Sequence, residues 1–258
     1  MGVNMEIIGG ILISTIAGLS TVLGGLVVFL KPKKEHINKF ITFCLSFSLA
    51  IMILISINDL IPESTRILLE NYGILKGIII SIVTFVIGGV LINKINKKIN
   101  KYTIKNTKNN NLYRVGILSM VALMLHNFPE GIAIYMSAYK DISLGISLGI
   151  AILLHNIPEG IAIAVPIYYS TGKKRGAIFK TFISGLAEPL GAVLAFLFLS
   201  RFITDSLISI VLLFVAGLMI TLSINELFPK AKEYNEDKYI VYGLIAGFII
   251  MVINHLIF

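Results

Sequence analysis

The chain contains two nearly identical nonapeptides, HNFPEGIAI at residues 126–134 and HNIPEGIAI at residues 155–163. They differ at a single position. Each lies in a long apolar stretch, about 115–138 for the first and about 143–169 for the second, and a short polar turn joins the stretches. We therefore predict two antiparallel helices whose duplicated segments meet at the same depth.

The overall composition places these helices in a membrane. Hydrophobic residues make up 56% of the chain and charged residues 14%, with a mean hydropathy of +0.89, whereas soluble domains carry about 25% charged residues. A membrane-spanning helix needs roughly 20 mostly apolar residues. The sequence contains eight such stretches, at about 6–30, 39–61, 74–92, 115–138, 143–169, 176–201, 206–228 and 239–258. We predict an all-α integral membrane protein, with residues 1–258 as one transmembrane domain and helices 4 and 5 as its central antiparallel pair.

The basic residues indicate the orientation in the membrane. The odd-numbered connections between the predicted helices hold 18 of the 22 Lys and Arg residues. By the positive-inside rule these connections are cytoplasmic, so an even number of helices puts both termini outside the cytoplasm. The longest connection, residues 93–114, is predicted to be a basic cytoplasmic loop. Topology in the cell membrane and contact with the lipid bilayer thus explain the net charge of +8 without a nucleic-acid partner.

Both nonapeptides place ionisable residues near the middle of an apolar helix, where each costs about 2.5–3.5 kcal/mol on insertion scales. His and Glu are four positions apart in each copy and share a helix face. We expect His126 to face Glu159, and Glu130 to face His155. Two imidazoles and two carboxylates would then surround one divalent cation. These ligands suit Zn²⁺, Fe²⁺, Co²⁺ and Mn²⁺ better than Cu(I), and Cd²⁺ is a further candidate.

Asparagine and proline occupy the same positions in both copies. The amide oxygens of Asn127 and Asn156 lie beside the expected cation and could, with the shared carboxylates, hold a second one. Pro129 and Pro158 lack an N–H group and each leave one helix carbonyl free. Such breaks at membrane depth are tolerated where they are buried in protein or line a water-filled cavity, and they are typical of transporter sites. A buried His–Glu network that fastens two helices is the structural alternative.

Acidic residues near the ends of two other helices are candidates for a metal pathway. Asp59 and Glu63 lie toward the predicted outer end of the second helix, where negative charge would concentrate incoming cations. Glu226 lies near the predicted cytoplasmic end of the seventh helix and could form an exit. For all three residues, an ordinary solvated helix end is the alternative.

The paired motifs resemble those of the ZIP (Zrt/Irt-like protein) family of divalent metal transporters, and especially its bacterial broad-range zinc permease branch. SGLAEPLG at residues 184–191 is similar to the Gly-x-x-Glu-Pro pattern in the sixth helix of that family. The resemblance implies metal transport toward the cytoplasm, a transport unit that slides against a scaffold, and a homodimer. The implied first metal site consists of His126, Glu130, His155 and Glu159. The implied second site consists of Asn127, Glu130, Asn156, Glu159 and Glu188.

Two other classes of protein are possible. An intramembrane metal-dependent hydrolase would use such ligands to activate water, but the motif is not His-Glu-x-x-His and two equal ligand sets leave no distinct general base. A metal-binding receptor or structural membrane protein is less consistent with connections too short for a soluble domain. We therefore expect a transporter of divalent transition metals, zinc foremost, and not an enzyme.

Overall fold

The computed structural model describes residues 2–30, 32–103, 110–199 and 204–257, and the regular elements in these ranges are all helical. The main helices are α1, Gly2–Gly25; α2, Ile37–Tyr72; α3, Ile74–Thr103; α4, Asn110–Lys140; α5, Ile142–Thr171; α6, Lys174–Gly185 continued by Ala187–Leu194; α7, Asp205–Lys232; and α8, Asp237–Ile257. Within the described residues, 7 helices are long and apolar enough to cross a membrane. The predicted all-α membrane fold is confirmed.

The helix α2 runs further than its hydropathy predicts. It ends at Tyr72 instead of near residue 61, and its last turns are polar. Arg66 holds these turns together through ion pairs with Glu63, at 2.6 Å, and with Glu70, at 2.9 Å. Pairs at these spacings stabilise a polar helix, so hydropathy locates the apolar segment but not the end of the helix.

The predicted loop at 93–114 is the largest difference from the sequence analysis. The helix α3 continues to Thr103 and α4 begins at Asn110, so both ends of the predicted loop are helical. Residues 104–109 lie outside the described residues. Lysine has a high helix propensity, and a Lys-rich segment can therefore continue a helix beyond the membrane.

A tight turn fixes the register between α4 and α5. The Asp141 side chain caps α5 by accepting a hydrogen bond from the Ser143 backbone N–H, with a distance of 2.7 Å. Close to this turn, a Cβ atom added at Gly145 would lie 2.6 Å from the Ala138 Cα atom. The two helices therefore touch directly beside the turn, and their duplicated segments lie at the same height.

Packing divides the helices into two groups. The first, which we call the motif group, consists of α1, α4, α5 and α6, and the second, the framework group, consists of α2, α3, α7 and α8. Each group is held by close backbone approaches: a Cβ atom at Gly160 would meet the Thr21 carbonyl, and one at Gly217 would meet the Phe85 carbonyl. The largest hydrophobic core forms where the groups meet, with Leu45 in the same cluster as buried residues of the motif group.

Candidate metal centre

The four His and Glu side chains of the nonapeptides converge between α4 and α5. The Glu130 Oε1 atom lies 3.0 Å from His155 Nε2 and 3.2 Å from His126 Nε2. The Glu159 Oε1 atom lies 3.5 Å from His126 Nε2. The cross-helix neighbours are therefore the ones expected from the sequence, His126 with Glu159 and Glu130 with His155. His126 and Glu159 are fully buried, whereas 10% of the His155 side chain is exposed.

Many polar atoms in this cluster are buried without a hydrogen-bond partner. They include both ring nitrogens of His126, both carboxylate oxygens of Glu159 and the Oε2 atom of Glu130. Most buried polar groups in proteins are hydrogen-bonded, and a buried carboxylate needs a compensating charge. Several buried atoms that can donate electron pairs therefore lie close together without a partner, and this arrangement suits a bound cation.

The asparagines and Glu188 extend the cluster toward α6 and α1. Asn156 Nδ2 donates to Glu188 Oε1 at 2.5 Å and to the Ala17 carbonyl oxygen at 2.9 Å. Asn156 Oδ1, Glu188 Oε2 and both side-chain polar atoms of Asn127 are buried without partners. Asn156 and Glu188 therefore contact each other and add a second set of oxygen atoms beside the His–Glu cluster, while Asn127 directly follows His126 in α4.

The glycine of each nonapeptide allows a third helix to reach this region. A Cβ atom at Gly131 would collide with the Glu188 backbone carbonyl, so α4 and α6 touch where Glu188 enters the cluster. A Cβ atom at Gly160 would likewise collide with Thr21 in α1. The helix α6 is interrupted by a turn at Leu186, two residues before Glu188. Glycine therefore serves here to let backbones approach.

The spacing of the ligand atoms fits a transition metal. His126, His155 and Glu159 each offer an atom that lies within 4.8 Å of the others. Zinc binds nitrogen and oxygen at about 2.0–2.2 Å, so the ligands of one tetrahedral ion lie about 3.4 Å apart. A small contraction of the side chains would thus complete a coordination shell. Imidazole with carboxylate suits zinc and its neighbours in the first transition row.

A cavity of about 610 Å³ extends from the cluster toward one end of the bundle. Glu130 and His155 lie in its wall, and Asp59 of α2 lines it as well. Its other lining residues are aliphatic and come from both helix groups: Ile55, Leu60, Ala133, Leu148, Ala151, Ile152 and Leu212. The cavity therefore lies between the two groups and connects an acidic residue to the candidate ligands.

The other two predicted pathway residues have different surroundings. Glu63 is exposed and bonded to Arg66, and the cavity wall does not include it. Glu226 is buried and lies 2.8 Å from Arg114 of α4. Neither residue is brought together with the His–Glu cluster.

The partners of Glu226 and an internal similarity were not predicted from the sequence. Arg114 falls at the end of the predicted basic loop 93–114, and Asn96, which bonds both Arg114 and Glu226, carries no charge that would single it out. Residues 56–62, SINDLIP, match residues 223–229, SINELFP, at five of seven positions. A comparison of the chain with itself would have found this match.

Helices that cross the membrane, buried ligands at one depth and a cavity that reaches them together define the class of protein. The site is almost completely buried, and it is built from side chains of both repeats. These are the features of an integral membrane transporter for divalent metal ions.

Comparison with known proteins identifies the family. Residues 103–255 match the family model described as ZIP Zinc transporter. The chain is 38% identical to the Zinc transporter ZupT of Chlorobium chlorochromatii over 94% of each chain. It is 36% identical to the Zinc transporter ZupT of Clostridium perfringens over 100% of this chain and 99% of that protein. The chain belongs to the ZIP zinc transporter family, and it is a multi-pass membrane transporter and not an enzyme.

Proposed function

We propose that this protein carries Zn²⁺ across the cell membrane into the cytoplasm, with the His–Glu cluster of α4 and α5 as its transport site. The observation that carries this proposal is the convergence of the buried, unpaired ligand atoms of His126 and Glu159 with Glu130. The zinc transporters among its relatives support zinc as the substrate. A single divalent ion would offset the charge of two buried carboxylates.

The proposed centre holds two ions. The first is bound by His126, Glu130, His155 and Glu159. The second is bound by Asn127, Glu130, Asn156, Glu159 and Glu188. The 2.5 Å contact between Asn156 and Glu188 and their unpaired oxygen atoms support the second set. Glu130 and Glu159 belong to both sets, because each carboxylate has one oxygen for each ion.

Metal enters through the cavity beside Asp59 in this proposal. The carboxylate there attracts cations into an otherwise apolar passage. The basic connections at the opposite end are cytoplasmic by the positive-inside rule, which puts both termini outside. Metal that enters beside Asp59 would then leave into the cytoplasm. Glu63, which is bonded to Arg66, contributes at most to the charge around the mouth of the cavity.

The ligand set admits metals besides zinc. Nitrogen and oxygen ligands without a thiolate also suit Fe²⁺, Mn²⁺ and Co²⁺, and we include Cd²⁺. We further propose a homodimer within the lipid bilayer. Its support is the broad apolar face of α3, on which Ile78, Ile82 and Val86 are exposed.

Zinc influx into proteoliposomes tests the proposed function. A zinc indicator trapped inside the vesicles should report influx with wild-type protein, and Fe²⁺, Mn²⁺, Co²⁺ and Cd²⁺ should each slow it. Glu159→Gln should remove the influx, whereas Glu233→Gln, at an exposed residue bonded to Lys230, should leave it intact. Equal influx through Glu159→Gln and Glu233→Gln would refute the transport site.

A further inference from the structure

Two turns of the framework group share a sequence pattern. The segment SINDLIP at residues 56–62 lies in α2, and SINELFP at residues 223–229 lies in α7. Both contain a π turn, Ser56–Leu60 in the first and Ser223–Leu227 in the second, followed at once by a proline-containing helical turn. Such turns occur frequently at functional sites, so the two acidic residues within them, Asp59 and Glu226, invite comparison.

The two turns lie at opposite ends of the bundle. The last turns of α2 pack on the first part of α7, and the last turns of α7 pack on the first part of α2. The two helices are therefore antiparallel. Asp59 lies in the wall of the cavity, toward one end of the bundle, and Glu226 lies toward the other end.

The carboxylate of Glu226 is buried and bonded to neighbouring side chains. Its Oε2 atom lies 2.8 Å from the Nη2 atom of Arg114, and its Oε1 atom accepts a hydrogen bond from Asn96 Nδ2. Asn96 Oδ1 in turn accepts from Arg114 Nη1. Both oxygens of the carboxylate are engaged, and the side chains of Arg114 and Glu226 are only 17% and 9% exposed. Breaking such a buried pair by removing one partner is unfavourable.

This ion pair joins the two helix groups. Arg114 belongs to α4 in the motif group, whereas Asn96 of α3 and Glu226 of α7 belong to the framework group. Arg114 precedes His126 by twelve residues, which is about 18 Å along a helix. Any displacement of the metal ligands relative to the framework therefore also displaces the guanidinium group from Glu226.

We propose that Arg114 is a positioning residue that holds the pathway closed at the end opposite Asp59. Its guanidinium group takes the place of a metal ion at Glu226, and the carboxylate becomes available as a ligand only when the motif group moves. The release of metal is thereby coupled to the movement of the groups. That metal passes Glu226 rests on the proposed function. The closure of this end of the bundle rests on the ion pair alone.

Cysteine accessibility tests the closure without any metal. In a Cys44→Ser background, Ser223→Cys would place a thiol at the start of the π turn, at a fully buried position. Arg114→Gln should raise its rate of reaction with a membrane-impermeant maleimide, supplied at the Glu226 end, by about tenfold. Arg66→Gln is the matched control, because it removes an arginine whose ion pairs lie within α2.

A double-mutant cycle separates closure from a general loosening of the fold. Glu226→Gln should raise the labelling rate as much as Arg114→Gln, and the double variant should label no faster than either single variant, since one contact is lost in all three. Labelling of Arg114→Gln at the parent rate would overturn the proposal. Additive increases in the double variant would overturn it as well. Neither result depends on whether the centre transports zinc.

Discussion

The motif group and the framework group differ in where they keep their polar residues. The motif group holds its candidate ligands together in its interior, at the centre of the bundle, whereas Asp59 and Glu226 of the framework group lie near opposite ends. Close approaches of glycine to a neighbouring backbone join helices of the same group, as at Gly160 with Thr21 in one and Gly217 with Phe85 in the other. Each group is therefore locked internally by backbone contacts.

The boundary between the two groups is packed by side chains and not by close backbone contacts. Leu45, Met52 and Met219 of the framework group share one core cluster with Leu118 and Ile163 of the motif group. Such aliphatic contacts are not directional, and the ion pair of Arg114 with Glu226 adds a polar side-chain contact across the same boundary. Rigid groups with a side-chain boundary are what the sliding of a transport unit against a scaffold would require, and that movement stays a prediction.

The largest effect should come from ligands in the motif group. His155→Ala and Glu130→Ala should each lower the affinity for zinc by about 100-fold or more, since even residues that support a ligand contribute 10–100-fold. Glu226→Gln in the framework group should leave the affinity unchanged, because its partners are Arg114 and Asn96. Isothermal titration of the detergent-solubilised protein measures this difference. An equal loss in Glu226→Gln would contradict the assignment of the centre to one group.

Alanine in place of glycine at the helix contacts should destabilise the protein in both groups but should weaken zinc binding in only one of them. Gly160→Ala and Gly217→Ala each insert a methyl group against a backbone carbonyl, with an expected cost of about 1–3 kcal/mol. Only Gly160→Ala should also weaken zinc binding, because Gly160 follows Glu159. Thermal unfolding with and without zinc gives both quantities. Gly176→Ala, whose new Cβ atom would find its neighbour at 3.7 Å, is the control and should unfold at or above the wild-type temperature, because alanine favours a helix over glycine.

Removal of the acidic residue at the cavity should have a moderate effect. Asp59→Asn should raise the zinc concentration for half-maximal influx by about 3–10-fold at low salt, because electrostatic attraction accelerates the encounter of a cation with an acidic cleft. The maximal rate should stay the same. Glu63→Gln should change the half-maximal concentration less, since this carboxylate lies outside the cavity wall and is bonded to Arg66. Influx curves measured at two salt concentrations would show whether the effect is electrostatic.

The smallest effect should come from a hydrogen bond across the boundary. Ser48 Oγ of α2 donates to the Pro158 carbonyl of α5 at 2.9 Å. Ser48→Ala should lower the free energy of unfolding by about 1 kcal/mol without changing zinc affinity. Ser170→Ala removes a bond within α5 and should leave the rate of influx unchanged, whereas Ser48→Ala should alter it. An identical influx in both variants would argue against movement at the boundary.

Much of the candidate site could be predicted because the chain repeats itself. The two nonapeptides indicated the candidate ligands and their common height along α4 and α5, and the short turn at Asp141 indicated the pairing of His126 with Glu159 that the structure contains. Which helices belong to each group could not be predicted, because this depends on which helix lies against each glycine. Arg114 was also missed, since its partners Asn96 and Glu226 are 18 and 112 positions away in the sequence and only the packing of α3, α4 and α7 brings them together.

Uptake of radiolabelled Zn²⁺ by proteoliposomes that carry Glu130→Ala/Glu159→Ala tests the central claim most directly. The control is Glu63→Ala/Glu70→Ala, which also removes two carboxylates but from an exposed set of ion pairs. With equal amounts of inserted protein, we predict wild-type uptake in the control and background uptake in the first variant. Uptake by Glu130→Ala/Glu159→Ala at the wild-type rate would show that zinc crosses the membrane without the paired motifs and would contradict the account.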